Sequence, residues 1–291
     1  MHDGGAGCGD ARPVAIIASR VRVEEKMLVE ALRRRGVPHV LIDDRELTYV
    51  LGAPAPQWCV AINRSIAASR RLEVSRLCEA WEIPVVNPVE TVATCDNKIA
   101  TMLALFKHGV PVPSTAVALS AAGGPKAVEQ VGLPAVVKPV DGSWGRGLAK
   151  VNDTDAVESV LSVKETLPSS RQQLVLAQEF VETPHRDVRV VVAGDRAVAA
   201  MYRYSEHWIA NVARGSRTES CPLTGELSRL AVAAATAVGG GFVGVDLLEN
   251  PDGNYVVNEV NCGTEFRGLV SASQVPIGDA LVDYALDQVP L

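Results

Sequence analysis

The chain has 291 residues, enough for two or three domains of ~100 residues each, and its 47% hydrophobic, 21% charged composition is globular, which excludes intrinsic disorder. A net charge of −6 argues against a general nucleic-acid binder. No apolar run reaches the ~18 residues needed to cross a bilayer, so a helical membrane protein is excluded as well.

Met1 to Arg12 is Gly-rich without a basic segment and reads as a disordered extension, and Pro13–Ala18 is too short for a signal-peptide core. Next, Val14–Ser19 reads as a buried strand. Val23–Arg35 carries Met27, Leu28, Ala31 and Leu32 at helical spacing, with Gly36 closing the helix. Strands at His39–Ile42, Cys59–Asn63 and Pro84–Asn87 and a helix at Ala67–Trp81 complete an open α/β unit over residues 13–87. A second unit, 88–174, opens with one long helix over Val89–His108 that stops at Gly109, followed by a strand at Pro134–Val140 and a helix at Asp155–Leu167. The last unit, 175–291, holds strands at Leu174–Val181, Val188–Ala193 and Ala197–Tyr204, a helix at Gly225–Val238 and a hairpin at Phe242–Asn261. The six cysteines are scattered, with no CxxC pair and no Cys/His cluster, which fits reduced thiols in a cytoplasm better than a zinc site.

Four segments carry chemistry. Lys138 ends a buried strand and precedes Gly142-Ser143-Trp144-Gly145-Arg146-Gly147. An ammonium beside glycines suits a polyphosphate, because backbone N–H groups can approach its oxygens closely, although a plain flexible turn fits the same residues. The glycine order is neither the dinucleotide-binding GxGxxG nor a Walker loop. Lys98, in Asp96-Asn97-Lys98, reads as a surface lysine unless its helix brings it to the same phosphates. Gln178-Glu179-Phe180-Val181 leaves a strand into a polar linker, offering backbone groups to an adenine edge with a carboxylate free for ribose. Asp187 and Arg189 share one strand face, where a cross-strand ion pair is the alternative.

The fourth segment is the hairpin. A two-residue turn at Asp252-Gly253 places Asp246 directly opposite Glu259, with Asn261 on the same face. Facing carboxylates repel, and a shared Mg²⁺ held by hard oxygens removes the conflict. A type I turn with a glycine bulge instead shifts the register by one and separates the acids. Between these segments Arg203, Arg214 and Arg217 cluster with His207 and Asn211, either as a solvated loop or as a carboxylate clamp.

Together these segments resemble the ATP-grasp carboxylate–amine ligases of the RimK/LysX type, densest in Lys138–Lys150, Gln178–Arg189, Tyr202–Arg214, Gly239–Glu249 and Asn258–Phe266. The resemblance implies an α/β (α+β) ATP-grasp fold, with an N-terminal open α/β domain and central and C-terminal α+β domains clasping ATP. It implies that Lys98 and Lys138 hold phosphates under a closing loop of Gly142, Ser143, Trp144, Gly145, Arg146 and Gly147. Gln178, Glu179, Phe180 and Val181 would cradle adenine, with Asp187 near the ribose. Asp246, Glu259 and Asn261 would ligate Mg²⁺, two ions being expected. Arg189, Arg203, Asn211 and Arg214 would surround an acyl phosphate and the amino-acid substrate. The reaction implied is ATP-dependent joining of an amino acid's α-amine to the side-chain carboxylate of the C-terminal Glu of a small acidic carrier protein, by a cytoplasmic homodimer or homotetramer. A RimK-like ligase with another acceptor and a non-catalytic ATP-binding module are the competing readings, and the complete Asp246/Glu259/Asn261 set argues against the latter.

One departure stands out. Lysine-pathway members carry His-Thr-Met and then Glu-Phe-Lys-Asn where this chain has Cys262-Gly263-Thr264 and then Glu265-Phe266-Arg267-Gly268. The resulting pocket is expected to be roomier and less positive, so that glutamate or a larger polar amino acid is preferred over α-aminoadipate.

Overall fold

The computed structural model describes residues 12–142, 146–208 and 217–290, so the expected N-terminal extension lies, but for Arg12, outside the described residues. The first sheet is parallel, in the order β2-β1-β3-β4. Its strands are β1 (Val14–Ala18), β2 (His39–Asp43), β3 (Val60–Asn63) and β4 (Val85–Val86), joined by α1 (Val23–Arg34) and α2 (Ala68–Ala80). Every residue of β1 and β3 is buried, as a parallel sheet covered on both faces requires.

The expected helix over Val89–His108 is two helices, α3 (Val89–Cys95) and α4 (Lys98–Lys107). Asn97 breaks it: the residue is extended (φ −130°, ψ 106°), and its Oδ1 accepts from the N–H groups of Ile99 and Ala100. A side chain that satisfies orphan donors starts a helix rather than continuing one. The N–H of Lys98 donates to the Val140 carbonyl, which fastens the start of α4 to the glycine loop's approach.

The second sheet, in the order β5-β8-β6-β7, comprises β5 (Thr115–Ala118), β6 (Ala135–Lys138), β7 (Ala149–Val151) and β8 (Val175–Glu179). It packs on α5 (Gly124–Val131) and α6 (Thr154–Glu165); a short α7 (Ser170–Gln173) leads into β8. The third is antiparallel, β11-β10-β9-β12-β13, from β9 (Arg186–Ala193), β10 (Arg196–Tyr204), β11 (Arg217–Cys221), β12 (Phe242–Glu249) and β13 (Tyr255–Asn261). One of its faces packs on α8 (Gly225–Ala237), and the other shares a core with α1, α10 (Ile277–Leu286) and the first sheet; α9 (Arg267–Ser273) lies between β13 and α10. Neither β5, α5, β7, β11 nor the two C-terminal helices α9 and α10 figured among the expected elements.

Asn87 joins the first and third sheets. Its Nδ2 donates to the carbonyls of Phe242 and Cys262 (both 2.8 Å), and its Oδ1 accepts from the Phe242 N–H (2.6 Å). Gly241 has to be glycine there, since a Cβ would stand 2.3 Å from Asn87 Oδ1.

Candidate active site

A cleft of about 1580 Å³ opens where the three sheets meet. Lys138, at the end of β6, is 8% exposed and donates to Asn258 Oδ1 (2.8 Å). Burial lowers its pKa to about 8, with Lys98 acting in the same direction and Glu259 and Asp246 against it. Lys98, the first residue of α4, donates to the Gly142 carbonyl (2.7 Å) and pairs with Glu259 (2.9 Å). Two lysines from different elements thus converge on neighbouring residues of β13, Lys138 on Asn258 and Lys98 on Glu259, and Lys98 also holds the Gly142 carbonyl. Gly142 (φ +125°) and Gly147 (φ +71°) take positive-φ conformations that suit glycine, and a Cβ on Gly147 would lie 3.4 Å from the Pro139 ring. Arg146 lines the cleft. Ser143, Trp144 and Gly145, like Asn211 and Arg214, lie outside the described residues.

The hairpin reaches the expected pairing by an unexpected route. Its turn is not Asp252-Gly253 but the glycine-bulge form: the Gly253 N–H donates to the Asn250 carbonyl, Gly253 has φ +80°, and Glu249 faces Tyr255. Near the turn the register is therefore shifted by one, with Leu247 opposite Val257. A second irregularity between Asp246 and Leu247 leaves Asn258 unpaired and removes the shift, so Asp246 does face Glu259 and Gly244 faces Asn261. The bulge also lets consecutive residues, Asn258 and Glu259, both line the cleft while Val257 and Val260 stay in the core.

Asp246, Glu259 and Asn261 share the cleft face, and Asn261 Nδ2 lies 3.3 Å from Asp246 Oδ2. Two carboxylates and a carboxamide oxygen form a hard-oxygen donor set that fits Mg²⁺. In the protein alone, cations of the chain settle the repulsion: Arg189 grips Asp246 through two 2.6 Å bonds, and Lys98 pairs with Glu259. Burial pushes the Asp246 carboxyl up, but Arg189 and Arg203 outweigh it and hold it below the usual range.

Asp187 departs from expectation. It is no free carboxylate, because both oxygens accept from Arg203 at 2.6 Å across β9 and β10, and Arg203 also lies 3.1 Å from Asp246. The cross-strand pair is the form it takes. Gln178 is buried, donating to Thr115 Oγ1 (2.9 Å), and its Oε1 has no partner among the described residues. Glu179 accepts from the Ser114 N–H (3.0 Å), and Gln178, Glu179, Phe180 and Val181 all line the cleft.

Several lining residues were not expected. The Lys150 ammonium sits 3.5 Å from the Phe180 ring centroid, and Asn258 holds Lys138. Alternation along β7 could have placed Lys150, but no local signal marks the bulge at Asn258. The first sheet also contributes Arg64, Ser65 and Arg71, and Arg71 occupies the room expected at Gly263, where a Cβ would stand 2.4 Å from Arg71 Nη1. That end of the cleft therefore holds a guanidinium beside Gly263. The cysteines are not all apart either. The Cys95 thiol neighbours Cys262, which together with burial raises its pKa well above the usual thiol range.

A RimK-like ATP-grasp domain matches residues 95–285, and a LysX preATP-grasp domain matches residues 14–94. The α-aminoadipate–LysW ligase LysX of Sulfolobus acidocaldarius is 34% identical over 268 residues, spanning 90% of this chain and 97% of its own. The glutamate–LysW ligase ArgX of the same organism is 30% identical over 273 residues, spanning 93% and 97%. Among solved structures, a RimK-domain ATP-grasp protein of Sphaerobacter thermophilus superposes with a TM-score of 0.74 at 28% identity, covering 94% of this chain and 99% of its own. With lysines and acids assembled in the cleft between the second and third sheets, the chain belongs to the RimK-like ATP-grasp family with a LysX preATP-grasp domain, and is an ATP-dependent ligase that forms a C–N bond between a carboxylate and an amine.

Proposed function

We propose that the enzyme joins the α-amine of an amino acid to the side-chain carboxylate of the C-terminal Glu of a small acidic carrier protein. The convergence of Lys98 and Lys138 on the face that carries Asp246, Glu259 and Asn261 is the observation that supports it most, and relatives named for ligating α-aminoadipate or glutamate to LysW supply the substrate class. The carrier carboxylate oxygen takes the γ-phosphoryl group and ADP leaves. The amine nitrogen then attacks the carbonyl carbon, inorganic phosphate departs, and the amine gives up a proton.

Such a reaction needs no protein nucleophile; it needs positioning and charge stabilisation. Lys98 and Lys138 hold the phosphates, and the Gly142–Gly147 loop excludes water above them. Gln178, Glu179, Phe180 and Val181 cradle the adenine. Asp246, Glu259 and Asn261 would hold divalent metal, two ions in our reading, and the metal would supply charge neutralisation for phosphoryl transfer. Arg189 and Arg203, gripped by Asp246 and Asp187, place their guanidinium groups beside the reacting carboxylate, with Asn211 and Arg214 assigned to the same end. We propose glutamate over α-aminoadipate as the amino acid, because Arg71 occupies room that a longer side chain would need.

Mass spectrometry of a small carrier ending in Glu, incubated with enzyme, ATP, Mg²⁺ and a pool of amino acids, tests the reading. A carrier gaining one amino-acid residue with one ADP released is expected. ATP-dependent ligation of free small molecules with the carrier unchanged refutes it. Comparing kcat/KM for glutamate, α-aminoadipate and bulkier amino acids tests the choice of amino acid.

A further inference from the structure

At one end of the cleft, polar side chains just after β3, on α2 and just after α3 stand without partners among the described residues. Of eight buried side-chain polar atoms lacking a hydrogen bond among the described residues, four belong to Arg64 (Nη2), Ser65 (Oγ), Arg71 (Nε) and Asp96 (Oδ2). All four residues line the cleft. An unsatisfied buried donor costs ~1–3 kcal/mol, so such a cluster is maintained where something else completes it.

The loop after the metal ligands holds these groups in place. Arg64 Nη1 donates to the Thr264 carbonyl (3.0 Å), and its Nε pairs with Glu25 (3.0 Å). Arg71 donates to the Ser65 carbonyl (3.1 Å) and to Asp96 Oδ1 (2.6 Å), and its guanidinium lies where a Cβ on Gly263 would be. The unusual Cys262-Gly263-Thr264 run thus admits Arg71 to the cleft.

We propose that Arg64, Ser65 and Arg71 form a subsite for a carboxylate of the incoming free amino acid, with Asp96 Oδ2 accepting from its amino group. Three donors next to one acceptor match a zwitterion. The carrier's C-terminal residue has a carboxylate but no free amine, so the free amino acid fits the set better. The inference rests on the proposed ligase reading, but its test is binding, so either can fail while the other stands.

A thermal-shift panel of the common L-amino acids and L-2-aminoadipate, on enzyme holding AMPPNP and Mg²⁺, selects the tightest ligand for calorimetric titration. Arg71→Gln should weaken that ligand at least ~10-fold, the loss of one charge-assisted contact, with AMPPNP affinity within about twofold of wild type. Gly263→Ala should also weaken it, because the new methyl displaces the guanidinium without changing its charge, and it carries the test should Arg71→Gln fail to fold. A peptide ending in Glu should bind both variants as it binds wild type. No ligand among the amino acids, unchanged affinity in a folded variant, or weakened peptide binding in place of amino-acid binding would overturn the assignment.

Discussion

Replacing Lys138 with Met separates what the lysine does for catalysis from what it does for the fold. The ammonium is buried at the end of β6, and its pKa of about 8 in the folded chain lies below the 10.5 of an exposed lysine. Between these values the unfolded chain binds the extra proton, so wild-type stability rises as pH climbs through this window, and at pH 7 the burial cost is present in full. At 1.36 kcal/mol per pH unit that cost is on the order of 3 kcal/mol. Methionine removes it and loses the bond to Asn258, a contribution of ~1–3 kcal/mol. The nucleotide-free variant should therefore melt at or above the wild-type temperature at pH 7, while that advantage fades toward pH 10. Its function should collapse: MgATP affinity by ~10-fold or more from a lost charge-assisted bond, and turnover by a further ~10²-fold from lost transition-state stabilisation. Wild-type MgATP affinity should also fall above about pH 8 as free Lys138 loses its proton, a slope absent from the variant. Melting curves across pH, nucleotide titrations and ADP-release rates measure these quantities. Near-normal turnover, or a variant melting far below wild type, would refute the assignment of Lys138 to the phosphates.

Asp246→Asn and Glu259→Gln each remove a charge from the shared donor face, and the Mg²⁺ concentration for half-maximal ADP release should rise at least ~10-fold in each; an unchanged midpoint removes that residue from the metal. Asn97→Ala deletes the cap that starts α4, lowering urea stability by ~1 kcal/mol and raising KM for MgATP as Lys98 loses its anchor. Equal KM values would show that the cap does not position Lys98. Asn87→Ala strands the Phe242 N–H and two carbonyls in the interior, so urea stability should fall by ~3 kcal/mol or more; a loss under about 1 kcal/mol would mean that water replaces the amide.

Local patterns in the chain determined most of the elements. β1, α1, α6, α8 and both strands of the hairpin follow from short-range apolar periodicity, and the ends of α1 and α4 from Gly36 and Gly109, all of which act within a few residues. The lysine-then-glycine order and the NEVN run were legible for the same reason, since those residues are neighbours in the chain. The tertiary structure decided the rest. Asn97 divides the long helix because its side chain outcompetes the next backbone turn, and the tie to Val140 comes from another element. The facing of Asp246 and Glu259 depends on two irregularities that cancel, the glycine bulge at the turn and the unpaired Asn258, and periodicity carries no trace of the second. Arg64 and Arg71 reach the cleft only because the N-terminal unit packs over the loop after β13. Contacts across more than a hundred residues are set by which faces must be buried together, a property of the folded chain that no local window of sequence contains.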